Sequence, residues 1–269
     1  METIKYKTSS PAGDLITYLA GVKRLWERTG KKGIIYQLLD VLGVGLPGDT
    51  RPFLNENGDS VCMNKAMFDR LYPLIKSQSY IEDFLEYKGA KVDFDFDEIR
   101  MKIHTGQPAG SIYRWFNYTI PEMASDLSKA WLNVGTTKGN VDFFSDKVII
   151  NFTNRYRNNY ITYFFLKEYE KKIWFAGTEK ELNQFNKRWG LNIPHLNDKD
   201  FEDFRAILCA CKFFLGNQSV CYHIAEACKV KRILEISPQI PHVIPNGADA
   251  YDFYYQEALE LYFKQLINA

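Results

Sequence analysis

From residue 146 onward the sequence alternates short apolar runs with amphipathic stretches, and few architectures accommodate that rhythm. The segments "DKVIINFT" (146–153), "KKIWFAGT" (171–178), "KFFLG" (212–216) and "KRILEIS" (231–237) read as strands. Residues 159–171, 179–189, 201–211, 219–229 and 251–268 read as helices between and after them. Apolar strands separated by helices predict a parallel sheet covered on both faces. The first half repeats the pattern more loosely, with a strand at 3–8, helical spacing from Leu15 to Arg28 and a buried strand at 33–41. That unit is by default a right-handed parallel crossover. Asn64 is a candidate cap for a helix over 64–77, and "KVDFDFDEIR" (91–100) alternates with period two. Residues 43–60 and 104–125 carry turn formers, and "GTTKGN" (135–140) reads as a linker. The expected division is a first domain over 1–134, a second over 135–250, and a closing helix over 251–269.

Composition narrows the function classes. A chain of 269 residues, 46% apolar, has material for one large core or two ordinary ones. Its net charge of +1 supplies no basic field, so no nucleic-acid partner is expected. "METIKYKTSS" has no apolar leader core, and no apolar run reaches the roughly 18–20 residues a membrane span needs. Four of the five cysteines lie between 209 and 228, at spacings unlike paired zinc knuckles. They read as reduced thiols, and the expected location is cytoplasmic, at most peripheral to the inner membrane face.

In open parallel sheets ligands bind beyond the carboxyl ends of strands. The segments in that position are 8–14, 151–158, 176–179 and 216–223. "GVGLPG" (43–48) has dinucleotide-fingerprint spacing, but Pro47 and a polar run follow where a helix must begin, so it reads as a loop. "DFDFD" (93–97) puts three carboxylates on one strand face, which suits a sheet edge better than a metal. "NFTNRYRNN" (151–159) carries Arg155 and Arg157, whose guanidinium groups suit phosphate oxygens or a solvated loop. In "FFLGNQSVCYHIAEA" (213–227) a strand ends at Gly216 and a helix starts after Asn217, Gln218 and Ser219. Such a start suits a diphosphate, with His223 and Glu226 on nearly one face; Ser219 as plain cap and His223 as core histidine are the competing readings. Asp14 in "SSPAGDL" reads equally as a helix cap or as a reactive carboxylate.

Taken together, these pieces resemble the heptosyltransferase-type, family 9 glycosyltransferases. Lys7-Thr8-Ser9-Ser10 followed by Gly13-Asp14-Leu15 is similar to that family's opening turn, with Pro11-Ala12 where one residue is usual. Asn217-Gln218-Ser219-Val220-Cys221-Tyr222-His223 is similar to its Asn-Asp-Ser-Gly-Pro-x-His landmark, and "WFAGTEKE" (174–181) to its strand-and-turn before the nucleotide pocket. The resemblance implies an α/β, GT-B-like architecture: two Rossmann-like domains with parallel sheets facing across a cleft. The last helix would cross back to the first domain. It implies inverting, metal-independent transfer of a sugar from a nucleotide-diphosphate donor to a glycan or other hydroxyl acceptor, with no cofactor. Asp14 would be the catalytic base. Ser10, Gly13, Arg155, Arg157, Thr178, Asn217, Gln218, Ser219, His223 and Glu226 would contact the donor and its phosphates. Gln218 and Val220 depart from the family's Asp and Gly, which leaves a non-catalytic binding or structural protein of the same fold as the alternative. A sugar-nucleotide epimerase is a third reading, without its glycine-rich fingerprint.

Overall fold

The computed structural model describes residues 2–43, 53–103, 110–135 and 141–269. Apart from Gly43 and Gly135, the runs at 43–48 and 135–140 lie outside them. The chain opens with β1 (Ile4–Thr8), α1 (Ala12–Thr29) and β2 (Gly33–Gln37). A two-stranded antiparallel ribbon, β3 (Phe53–Leu54) and β4 (Ser60–Val61), precedes α2 (Lys65–Lys76). Then follow β5 (Ile81–Glu86), β6 (Phe94–Asp95), α3 (Asp97–Ile103) and α4 (Trp115–Thr119). Strands β5-β2-β1-β6 form a four-stranded sheet in that order, every pairing parallel.

Two elements here differ from the periodicity. The strand β5 carries no alternating signal because its register slips between Gly33 and Ile34, so that Ile81 and Phe84 both reach the core. The alternation over 91–100 yields only a two-residue edge strand before α3, and its carboxylates hold β1. Asp93 accepts from the Lys5 N–H at 2.8 Å, Asp95 pairs with Lys7 at 2.5 Å, and Asp97 accepts from the Ser9 N–H at 2.8 Å.

The second half contains β7 (Val148–Asn151), β8 (Ile173–Phe175), α5 (Glu179–Trp189), α6 (Phe201–Ala210), β9 (Phe213–Asn217), α7 (Val220–Cys228), β10 (Arg232–Glu235), β11 (Ala250–Phe253) and α8 (Gln256–Asn268). Its five strands run parallel in the order β11-β10-β9-β7-β8. The helical stretch foreseen at 159–171 is a 3-10 helix over Phe164–Lys172, and the first residues of the closing helical stretch belong instead to β11. Alternate residues of each strand enter different cores. Ile149, Phe214 and Leu234 join a cluster that includes α1, α7 and the first sheet, whereas Val148, Ile150, Phe213, Leu215 and Ile233 face a second cluster with α5 and α8. Each such side chain, fully buried, contributes about 1.5–3 kcal/mol.

Among the described residues, the closing helix α8, expected to cross back to the first domain, packs its apolar side on the second half. The apolar residues Leu259, Phe263 and Ile267 of α8 all lie in the second cluster, and the Phe263 ring meets Phe165, Tyr169 and Phe213 at 5.3, 5.0 and 5.2 Å. That packing uses the whole apolar stripe of the helix, leaving none for the other half. No helix among the described residues is long and apolar enough to cross a membrane.

The two halves meet through α1 on α7 and α2 on α6. Trp131 fastens them: its indole N–H donates to the Ile16 carbonyl at 2.9 Å, its own N–H to Ala227 at 3.0 Å, and its carbonyl accepts from the Tyr80 hydroxyl at 2.7 Å. The carboxyl ends of β1, β7 and β9 thereby converge beside the helix starts of α1 and α7.

Candidate active site

At that convergence lies a pocket of about 180 Å³, lined from both halves. The first half supplies Gly13, Asp14 and Trp115; the second supplies Arg155, Gln218, Ser219, His223 and His242. Six of the eleven residues singled out from sequence therefore share one cavity.

The start of α1 places Asp14. The helix begins at Ala12 and its N-cap residue is Pro11, so Asp14 sits in the first turn and is not the N-cap residue. It is 7% exposed and lines the pocket, in a position where the helix dipole favours an anion. Gly13 lets α1 and α7 close on each other: a Cβ there would lie 2.7 Å from Cδ2 of His223. The helix contact thus requires glycine, whatever its role toward a ligand.

His223 is buried, and burial first, then the nearby charges of His242 and Arg155, hold its pKa down at about 3. Its Nδ1 lies 2.9 Å from the Tyr113 hydroxyl and 3.2 Å from the Thr17 hydroxyl. Thr17 also donates to the Gly13 carbonyl at 3.1 Å, which ties the ring to the first turn of α1. The opposite edge of the ring, Cδ2 and Nε2, faces Gly13.

The loop after β7 is shaped by Asn217. Its side-chain amide donates to the carbonyls of Thr153 at 3.0 Å and Arg155 at 2.7 Å, and its oxygen accepts from the Thr153 N–H at 3.0 Å. Next to this clamp Tyr156 takes a left-handed φ of 57°, a strained choice for a bulky residue. Arg155 is thereby set on the pocket wall. Asn217 itself is fully buried and acts on the loop, not in the cavity. Ser219 caps α7 by accepting from the Tyr222 N–H at 3.3 Å, and its hydroxyl donates to Asn151 at 2.7 Å. Gly216 is required where β9 passes β7, since a Cβ would come within 2.6 Å of the Asn151 carbonyl oxygen.

The other sequence-derived residues lie elsewhere. Arg157 turns away from the pocket into a buried ion pair with Glu235 at 2.9 Å; Tyr163 also donates to Glu235. Burial opposes its charge, but Glu235 and Tyr163 outweigh that and raise its pKa. Glu226 is fully buried at the far end of α7, ion-paired with Arg232 and Lys229. Thr178 caps α5 in a reciprocal capping box with Glu181. It also borders a neighbouring cavity of about 350 Å³, which shares Phe53 and Met67 with the first and is walled by Arg70, Asp198 and Phe201. Ser10 is buried beside β1, its N–H donating to the Thr8 hydroxyl at 3.0 Å.

Four lining residues, Phe53, Met67, Trp115 and His242, lie outside the segments marked from sequence, and the last two matter most to the pocket's polar wall. His242 lies in the segment after β10, a strand end to which the carboxyl-end rule also applied. Trp115 lies in the aperiodic stretch 104–125, where no local pattern marks it.

Sequence comparison finds no matching family model and no similar curated protein. Solved structures do resemble the chain. A family 9 glycosyl transferase from Veillonella parvula DSM 2008 aligns with a TM-score of 0.59 at 12% identity, over 98% of this chain and 89% of that one. The E. coli ADP-heptose LPS heptosyltransferase II aligns at 0.58 and 11% identity, over 99% of both chains. E. coli heptosyltransferase WaaC with ADP-2-deoxy-2-fluoro heptose aligns at 0.58 and 9% identity, over 99% of this chain and 100% of that one. At such identities the likeness is one of fold. It covers nearly the whole chain and agrees with the expected GT-B-like, two-sheet α/β class.

Proposed function

We propose that the protein is an inverting glycosyltransferase that moves a sugar from a nucleotide-diphosphate donor to a hydroxyl of a glycan or similar acceptor, without metal or cofactor. The observation that carries this reading is the meeting of Asp14 from the first half with Arg155 and the start of α7 from the second in one cavity. Asp14 takes the proton of the acceptor hydroxyl as its oxygen attacks the anomeric carbon. A general base so placed contributes on the order of 10²–10⁴-fold. The bond to the diphosphate breaks on the opposite face, so the anomeric configuration inverts. Negative charge then builds on the departing phosphate, and pre-set donors stabilise it. Arg155 supplies the permanent charge, and His223, held neutral, lies on the same pocket wall. The adjoining cavity, with the Phe201 ring and the Arg70–Asp198 pair in its wall, gives room for the nucleoside. One of the similar structures, E. coli heptosyltransferase WaaC, is in complex with ADP-2-deoxy-2-fluoro heptose, which supports a nucleotide-sugar donor.

The test is a thermal-shift and calorimetry panel of nucleoside diphosphates and nucleotide sugars. Stabilisation by at least one base series is expected. If none binds at millimolar concentration, the catalytic reading falls and a non-catalytic role of the fold takes its place.

A further inference from the structure

The positive charge expected from two arginines is halved when Arg157 is committed to Glu235. A diphosphate leaving group carries more charge than one guanidinium balances. The pocket holds a second candidate partner in His242, which belongs to the second half but is positioned by the first. Its carbonyl accepts from the Ile112 N–H at 2.8 Å, and its ring lies against Trp115 with centroids 5.4 Å apart. Its Nε2 sits 3.3 Å from the side-chain nitrogen of Gln218.

We propose that His242 is a direct contact to the donor's diphosphate, with Gln218 as the residue that orients its ring. This rests on the reading of the pocket as a nucleoside-diphosphate site. It also gives Gln218 a purpose. A carboxylate at that position would place a second negative charge beside His242 and oppose the incoming phosphates, whereas an amide fixes the ring without adding charge. Because Ile112 holds the His242 backbone and Trp115 its ring from the opposite half, the anion contact forms only where the two halves meet. Bound phosphate then favours the packed arrangement of the two halves.

Calorimetric titration of the full chain with inorganic pyrophosphate, with nucleoside diphosphates and with the matching nucleosides tests the proposal. His242→Phe keeps an aromatic ring on Trp115 and removes the polar contact; His242→Gln keeps polarity and guards against a folding failure in the first variant. Both are expected to weaken pyrophosphate about 10- to 100-fold, the scale of a hydrogen bond to a charged group, and to leave nucleoside affinity unchanged. Gln218→Leu is expected to produce a smaller loss of the same kind. Wild-type pyrophosphate affinity in both His242 variants overturns the proposal, as does an equal loss for pyrophosphate and nucleoside. If wild type binds pyrophosphate through His242 but no nucleoside diphosphate more tightly, the anion contact stands and the donor reading falls. Failure of wild type to bind pyrophosphate overturns the contact itself.

Discussion

Arg155 and Arg157 stand two residues apart on one loop and have opposite fates. Arg155 lines the pocket, while Arg157 is packed over the Phe152 ring at 4.7 Å and paired with Glu235. The carboxylates divide in the same way, Asp14 toward the cavity and Glu226 into a buried network with Arg232 and Lys229. In this fold a charge at a strand end is assigned by what lies across from it. Where a buried opposite charge waits on the next strand or helix, the group becomes structural. Where the opposing element belongs to the other half of the molecule, it faces the pocket. Substitutions in the two regions should therefore separate stability from activity.

The largest effect is expected on the buried side. Glu226→Ala strands Arg232, which is 0% exposed, and should cost about 3–5 kcal/mol of unfolding free energy in urea titration. A near-wild-type stability would show that the network does not anchor α7. On the pocket side, Asp14→Asn should lower transfer by about 10²–10⁴-fold while the urea midpoint stays unchanged. Collapse of stability instead would assign Asp14 to the fold. The arginines give the direct contrast. Arg155→Met should weaken nucleoside-diphosphate binding by about 1.5–3 kcal/mol with little change in stability, and Arg157→Met should do the reverse. A shared phenotype would erase the distinction.

A pH series sharpens the comparison at the contact between α1 and α7. His223 stays neutral in the folded chain down to about pH 3, whereas the unfolded chain takes the proton near 6.5. Between those values the unfolded state binds more protons, so stability falls as the pH is lowered through the window, by up to about 1.4 kcal/mol per unit. His223→Asn should flatten that part of the profile, read by urea titration across the window. An unchanged slope would place the acid sensitivity elsewhere. The smallest effect is expected at Thr178, where loss of the cap in Thr178→Ala should cost about 1 kcal/mol in thermal unfolding.

The strands of the second sheet were legible because both faces are buried, which leaves continuous runs such as "VII" and "FFL" in the sequence. The strand β5 was not, because its bulge breaks the alternation, and β11 was not, because four residues before a helix carry too little pattern. In the candidate site, Asp14, Gly13, Arg155, Gln218, Ser219 and His223 were found by their place after strands. Thr178 and Asn217 obeyed the same rule yet serve a cap and a loop clamp, since their partners lie one turn on or on the neighbouring strand end. His242 escapes because it lies several residues beyond β10, past the short segments that the rule marks.

The alternation of strands and helices, and the parallel pairing that goes with it, could be read from hydrophobic period, a local property that burial on two faces enforces. Only the tertiary structure decided which charges face the cavity. That choice depends on Glu235, Arg232 and the opposing half of the molecule, partners whose nearness no local spacing encodes.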